Sequence, residues 1–403
     1  MTKPDHTPVP RHRAYPGPAV LAEGFRPFFL FAGLWALVAL PLSVVTIQGR
    51  IELPSAFGAV SWHYHEMLFG FVAAAIAGFL LTAIPNWTGR LPLQGMPLLG
   101  LVSLWLAGRA GVAFSGILGA WPAAAADLSF LLVLAAVALR EVAAGRNWRN
   151  LPIVLAVVLF LLCNALSHAE AMGLADAGGL ARRLAIAVVV VLIALIGGRI
   201  VPSFTRNWLA KRDAENLPAG FGPFDRLTVA TTIVALAWWA AAPEGIVAAG
   251  LVGLAAVLNF LRLARWRGVA THPEPLLWVL HVAYLWIPIG LALLALGRWW
   301  PAVAATGAVH ALTAGAMGTM TLAVMSRATL GHTGRALRAG KGLTAAYVLV
   351  TIAALCRLAA SFWGAIYMPM LAAAAAAWIA AFLLFLGVCG PMLVTRRPGG
   401  GEE

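Results

Sequence analysis

Two histidines and a glutamate, His63, His65 and Glu66, stand in the phrase SWHYHEMLFG (61–70), at the mouth of an apolar run that reaches Pro85. Other histidines sit in apolar phrases too: His168 in CNALSHAEAMG, His281 in PEPLLWVLHVAYLWIPIG and His310 in VHALTAGAMGTMTLAVMSR. Imidazole is the commonest protein ligand for haem iron and copper. Ionisable groups inside a bilayer are costly and mark cofactors or pathways. For each histidine alone, a structural hydrogen bond between helices is the competing reading.

Spacing sorts these groups by depth. At about 1.5 Å per helical residue, His310 lies about 25 Å from Arg327 and His65 about 30 Å from Pro85, where their runs end. His168 ends its run on the same side, so four imidazoles, His63, His65, His168 and His310, are expected in one outer layer. His281 follows Pro275 by 6 residues, about 9 Å, and belongs to the inner half, beside Trp278 and Tyr284. There it either bonds to Tyr284, one turn along the same face, or ligates a second metal or haem. His63 and His65, two residues apart, point about 200° from each other on a helix. Unless His63 lies in a non-helical entry they serve different partners, and His65 is the expected inward ligand. Glu66 is the acidic residue of the layer placed to relay a proton or ligate metal; its alternative is a carboxylate favoured by the first turn of a helix.

The elements that position these groups follow from composition. The chain of 403 residues is 62% hydrophobic and 11% charged, far from a soluble domain of this size. Runs of about 20 apolar residues, enough to span the hydrocarbon core as helices, recur throughout. An all-α polytopic membrane protein with about twelve transmembrane helices is expected, the spans starting near 27, 64, 95, 121, 151, 184, 226, 245, 275, 302, 343 and 366. The 28 Lys and Arg then divide into 22 on the side of the termini and 6 opposite. The positive-inside rule therefore makes both termini cytoplasmic. The +13 net charge reflects this topology and calls for no nucleic acid; the lipid bilayer is the expected surrounding.

Residues 1–24, with His6 and His12, read as a flexible cytoplasmic arm, 25–393 as one membrane domain and 394–403 as a short tail. Cys163, Cys356 and Cys389 form no C-x-x-C pair, which argues against an iron–sulfur cluster and covalently attached haem. No phosphate-binding G-x-x-x-x-G-K-[ST] loop is present, so ATP-driven transport has no support. His272 and His332 fall in expected cytoplasmic loops.

A period runs through the spans. Pro27, Pro152 and Pro275 open spans 1, 5 and 9 at spacings of 125 and 123 residues. Spans 2, 6 and 10 end in related phrases, IPNWTGRLPL, GRIVPSFTRNWL and MSRATLGHTGR. Three repeats of four helices are expected. In span 10, Met317 falls near the face of His310, and small residues (Gly307, Ala311, Ala314, Gly315, Gly318) leave volume either for close helix packing or for a flat macrocycle. In the second case Met317 or Met320 packs on the macrocycle or meets copper. Arg199, Arg206, Arg327 and Arg335 are explained by topology, or pair with propionates of an inward-facing haem.

The phrases GFRPFF (24–29), WHYHEMLFGFVAAAIAGFLLTAIPNWTGR (62–90), GRIVPSFTRNW (198–208) and HALTAGAMGTMTLAVMSRATLGHTGR (310–335) together resemble the NnrS family, from about Gly24 to Pro391. The resemblance implies a twelve-span bacterial inner-membrane protein containing non-covalent haem and copper, linked to denitrification and to relief of nitric oxide stress. It carries over no residue-by-residue ligand assignment. A more distant likeness, to subunit I of the haem-copper oxidases and nitric oxide reductases, rests on the three four-helix arcs and on histidine in spans 2 and 10. Span 6 departs from it, with Gly197, Gly198 and Arg199 but no histidine, and span 10 has a single imidazole. Two functional classes follow: a haem-copper redox protein directed at nitric oxide or iron-nitrosyl damage, with an electron donor left open, and a carrier or assembly factor for copper, haem or a small solute.

Overall fold

The computed structural model describes residues 15–300 and 305–397. Residues 1–14, with most of the expected arm, and 398–403, with most of the expected tail, lie outside the described residues. Within the remainder of the arm, the short helix Ala19–Leu21 docks on the bundle, its Leu21 carbonyl accepting the Gly95 N–H at 2.9 Å.

The described residues form twelve long helices: α1 (Phe25–Ile47), α2 (Ala59–Thr88), α3 (Met96–Ala113), α4 (Ala120–Ala144), α5 (Leu151–Ala171), α6 (Leu180–Ala210), α7 (Pro223–Ala241), α8 (Ile246–Ala264), α9 (Pro275–Leu296), α10 (Ala305–His332), α11 (Lys341–Phe362) and α12 (Tyr367–Val394). Eleven of these positions hold helices long and apolar enough to cross a membrane. The exception is α7, whose 19 residues still reach about 28 Å. It carries Asp225, Thr228 and Thr232, which are buried inside the protein and so keep their polarity from lipid. Proline in the first turn starts α3, α5, α7 and α9 without sacrificing a helical hydrogen bond. Gly89, at φ +70°, ends α2.

The exterior is apolar, with Leu155, Leu159 and Leu162 on α5 and Leu254, Val257 and Phe260 on α8 all exposed, as a lipid-facing surface requires. The polar residues are turned inward. Helices pack in sequence around the bundle, and α12 closes on α1. The Arg26 side chain donates to the carbonyls of Met392, Leu393 and Thr395, so the bundle begins and finishes at one end, called here the termini end.

The arrangement is that of three four-helix arcs. The junctions α4–α5, α8–α9 and α12–α1 correspond, as do the pairs α3–α4, α7–α8 and α11–α12. The second helix of each arc, α2, α6 and α10, lies toward the centre, with 72, 61 and 67% of its apolar window buried, and α9 matches α6 at 61%. Each of the three contains a wide π-helical turn, at Glu66–Val72, Ile193–Gly197 and Ala311–Gly318. Such turns are uncommon and concentrate at functional sites, so their recurrence at one place in each arc marks the centre as the specialised part of the fold.

The small residues of α10 serve close packing. The space over Gly315 is filled by the Trp286 ring, which a Cβ there would approach to 2.5 Å, and that over Gly318 by Trp378. These two faces therefore hold tryptophan rather than a macrocycle. Gly315→Ala is expected to cost about 1–3 kcal/mol by overpacking and to lower the thermal midpoint in detergent. Gly100→Ala, where an added Cβ meets nothing within 4 Å, serves as the neutral comparison.

Candidate metal centre

The far ends of α2, α3, α4 and α5 enclose a dry polar island. Arg109, in the last turns of α3, donates to Glu66 Oε2 at 2.7 Å and forms an ion pair with Asp127 of α4. Asp127 Oδ2 accepts from Asn164 Nδ2 at 2.8 Å and from His168 Nε2 at 3.0 Å. His65 Nε2 stands 2.9 Å from Asn164 Oδ1 and 3.3 Å from Asp127 Oδ2, and its Nδ1 stands 3.1 Å from Glu66 Oε1. Phe57 covers His65 and His168 at 4.7 and 5.2 Å between ring centres. None of His65, Glu66, Arg109, Asp127 and His168 exceeds 3% exposure.

Hydrogen-bond accounting gives the island its charge. Because the Asn164 amide nitrogen donates to Asp127, its oxygen faces His65 as an acceptor. Glu66 offers a carboxylate to the other ring nitrogen. Both nitrogens of His65 therefore donate, and imidazolium and guanidinium together balance two carboxylates. Burial without such pairing is prohibitive.

The same geometry suits a metal ion. Ligand atoms of His65, Asp127 and His168 lie within 4.8 Å of one another. The second nitrogen of His65 is anchored by Glu66 and the second oxygen of Asp127 by Arg109, the outer support that ligating imidazoles and carboxylates need. Two imidazoles and a carboxylate suit copper, iron or zinc. Loading requires His65 and His168 each to give up the proton on Nε2, His65 keeping the one on Nδ1 for Glu66, and Asn164 to turn aside.

A second imidazole pair joins arc one to arc three. The rings of His63 and His310 are nearly parallel, 14° apart, with centres 6.5 Å apart. His310 Nδ1 is 2.7 Å from the Thr306 carbonyl, which fixes the tautomer that leaves Nε2 as a lone-pair donor. His63 Nδ1 is buried without a partner. Imidazole lone pairs lie in the ring plane, so two stacked rings offer their nitrogens to an ion or haem iron beside them rather than between their faces.

The four outer histidines thus meet as two pairs on opposite faces of α2. Ala59–His65 is regular helix, so His63 and His65 diverge and serve different partners. Glu66 is not the sole acidic residue of the layer: Asp127 reaches both His65 and His168, at 3.3 and 3.0 Å, and shares Arg109 with Glu66. The signal for Asp127 was an isolated aspartate inside the apolar phrase AAAADLSF, which topology leaves unexplained.

Other positions are corrected. His281 bonds to Thr205 Oγ1 at 2.9 Å rather than to Tyr284, and its ring meets Trp266, whereas Trp278 meets Tyr347. Tyr284 is occupied by Arg262 and Asn259. Arg262 also binds Asp225 at 2.7 Å and the Ala194 carbonyl released by the wide turn of α6. His281 Nδ1 remains buried and unpartnered, but the structure places His281 with none of the other histidines. Met317 is buried in α10, and the wide turn Ala311–Gly318 breaks the 3.6-residue phase that aligned it with His310. Met320, Arg199 and Arg327 border cavities toward the termini end. His332 is the last residue of α10, on the wall of one of them, and not in a loop.

No curated protein matches this chain. The model of one family, described as NnrS protein, matches residues 19–397, nearly the whole length, and a multi-pass helical bundle with this chain-long match belongs to the NnrS family.

Proposed function

We propose that the protein is a bacterial inner-membrane metalloprotein that handles nitric oxide at the far-end histidine layer, using copper and non-covalent haem. The observation that carries this reading is the convergence of His65, Asp127 and His168 in a dry pocket next to the His63–His310 pair. The family resemblance supplies the expectation of haem, copper and nitric oxide. When bound, the metal supplies an open coordination position and a redox couple for this ligand.

The chain's own residues have distinct parts. His65, Asp127 and His168 hold the small ion, Glu66 orients His65, and Arg109 neutralises the carboxylates. His310, whose Nδ1 is engaged by the Thr306 carbonyl, would hold haem iron, with the His63 ring beside it and a position left for the diatomic ligand. Phe57 and Phe69, packed on His65 at 4.7 and 5.1 Å, keep bulk water out, which favours an uncharged diatomic ligand. Glu66 is the candidate group for delivering a proton, since it touches both Arg109 and His65. With both termini on the cytoplasmic side, the layer faces the outer half of the membrane.

Purification tests the reading. The protein isolated from copper- and haem-sufficient cells is expected to carry both in stoichiometric amounts, and its reduced optical spectrum is expected to shift on addition of a nitric oxide donor. A colourless protein that binds and releases copper or haem reversibly, with no nitric oxide response, contradicts it and favours the carrier or assembly-factor alternative.

A further inference from the structure

At the termini end, α2, α6 and α10 part around a cavity of about 500 Å³, within the range of cofactor and small-molecule sites. Its charged lining is entirely basic, Arg199 of α6 and Arg327 of α10 with His332 beside them, and no carboxylate borders it. Among the described residues neither guanidinium has an ion-pair partner. Arg327 lies over the Phe204 ring at 4.1 Å and Arg199 over Phe221 at 5.1 Å. Positive-inside topology explains the sign of these residues, but not why two guanidiniums border one cavity, each over an aromatic face.

The cavity continues inward. Phe79, Ile196, Ile200 and Val324 border both it and a narrower chamber of about 100 Å³ whose wall is almost wholly apolar, including Val72 and Met320. From Asn86 at the mouth to Val72 the path along α2 is roughly 20 Å. A small inorganic anion has no use for the chamber, and a neutral apolar molecule has none for the guanidiniums. A molecule with an acidic group at one end of an apolar body uses both. The planar fork of arginine binds a carboxylate in bidentate fashion.

We propose that this central cavity is a binding site for an amphiphilic carboxylate, with its acid at Arg199 or Arg327 and its apolar body filling the cavity and reaching toward the chamber. The site lies at the opposite end of the bundle from the histidine layer and does not depend on metal there. Two sources offer this chemistry, a porphyrin carrying propionates and a long-chain fatty acid.

The test uses the full-length protein in non-ionic detergent, titrated with metal-free protoporphyrin IX and with palmitate, and with the dimethyl ester and methyl palmitate as neutral counterparts. At least one acid is expected to bind, its ester at least tenfold more weakly, which is about 1.4 kcal/mol. At least one of Arg199→Gln and Arg327→Gln is expected to weaken the acid tenfold or more and to leave the ester unchanged. Val324→Phe, which narrows the chamber without touching either arginine, is expected to weaken acid and ester alike and serves should an arginine variant fail to fold. Preference for the porphyrin assigns a macrocycle and preference for palmitate assigns a lipid. Equal binding of acid and ester, binding indifferent to the arginine and Val324 variants, or no binding of either acid overturns the proposal.

Discussion

Arg109→Met is expected to be among the most damaging single substitutions in the protein, costing about 3–5 kcal/mol, because it leaves Glu66 and Asp127 buried with only one cation between them. The guanidinium contacts both carboxylates at 3% exposure, so water cannot replace it. The loss is to be read as the fraction of folded, monodisperse protein recovered after extraction, and as the denaturant midpoint of what is recovered. Pairing Arg109→Met with Asp127→Asn restores neutrality, since His65 then balances Glu66, and is expected to recover more than half of the loss. A single variant as stable as the parent, or a pair no better than the single, contradicts the charge-balanced island.

His310→Ala is expected to insert and fold normally while losing most of its haem. The substitution removes one ligand and one hydrogen bond to Thr306 from a helix whose remaining contacts are apolar packing. His63→Ala is expected to lower haem content as well, because its ring centre lies 6.5 Å from that of His310. Cells that depend on the protein are expected to become more sensitive to a nitric oxide donor with either variant and to be indifferent to His6→Ala. Haem absorbance per protein and growth under the donor are the measurements. Full haem content with normal resistance in His310→Ala leaves the histidine as a packing residue.

Much of the architecture was legible because lipid imposes it. Apolar length and proline spacing marked twelve spans, and the depth arithmetic assigned His63, His65, His168 and His310 to one end. The i, i+2 spacing separated His63 from His65. Less visible was what tertiary packing decides. Arg109 was counted with the topology charges, yet its role is to sit between Glu66 and Asp127. Asp127 carried a signal of its own as an isolated acid in an apolar run, but its partners come from helices distant in sequence. The wide turns in α2, α6 and α10 leave no mark in a pattern read at 3.6 residues per turn, so the alignment of Met317 with His310 did not survive them. Tyr284 as a partner for His281 failed for a similar reason: Arg262, from α8, holds the tyrosine first.

His65, Asp127 and His168 are proposed to bind a metal ion within the membrane. X-ray absorption at the copper edge, on purified protein, examines those bonds directly. The expected spectrum has nitrogen or oxygen neighbours near 2 Å with the outer-shell pattern of two imidazoles, reduced to one in His168→Ala, and Asp127→Ala is expected to remove most of the metal. A sulfur-dominated shell, or a spectrum and metal content unchanged in both variants, would place the copper elsewhere and contradict the assignment.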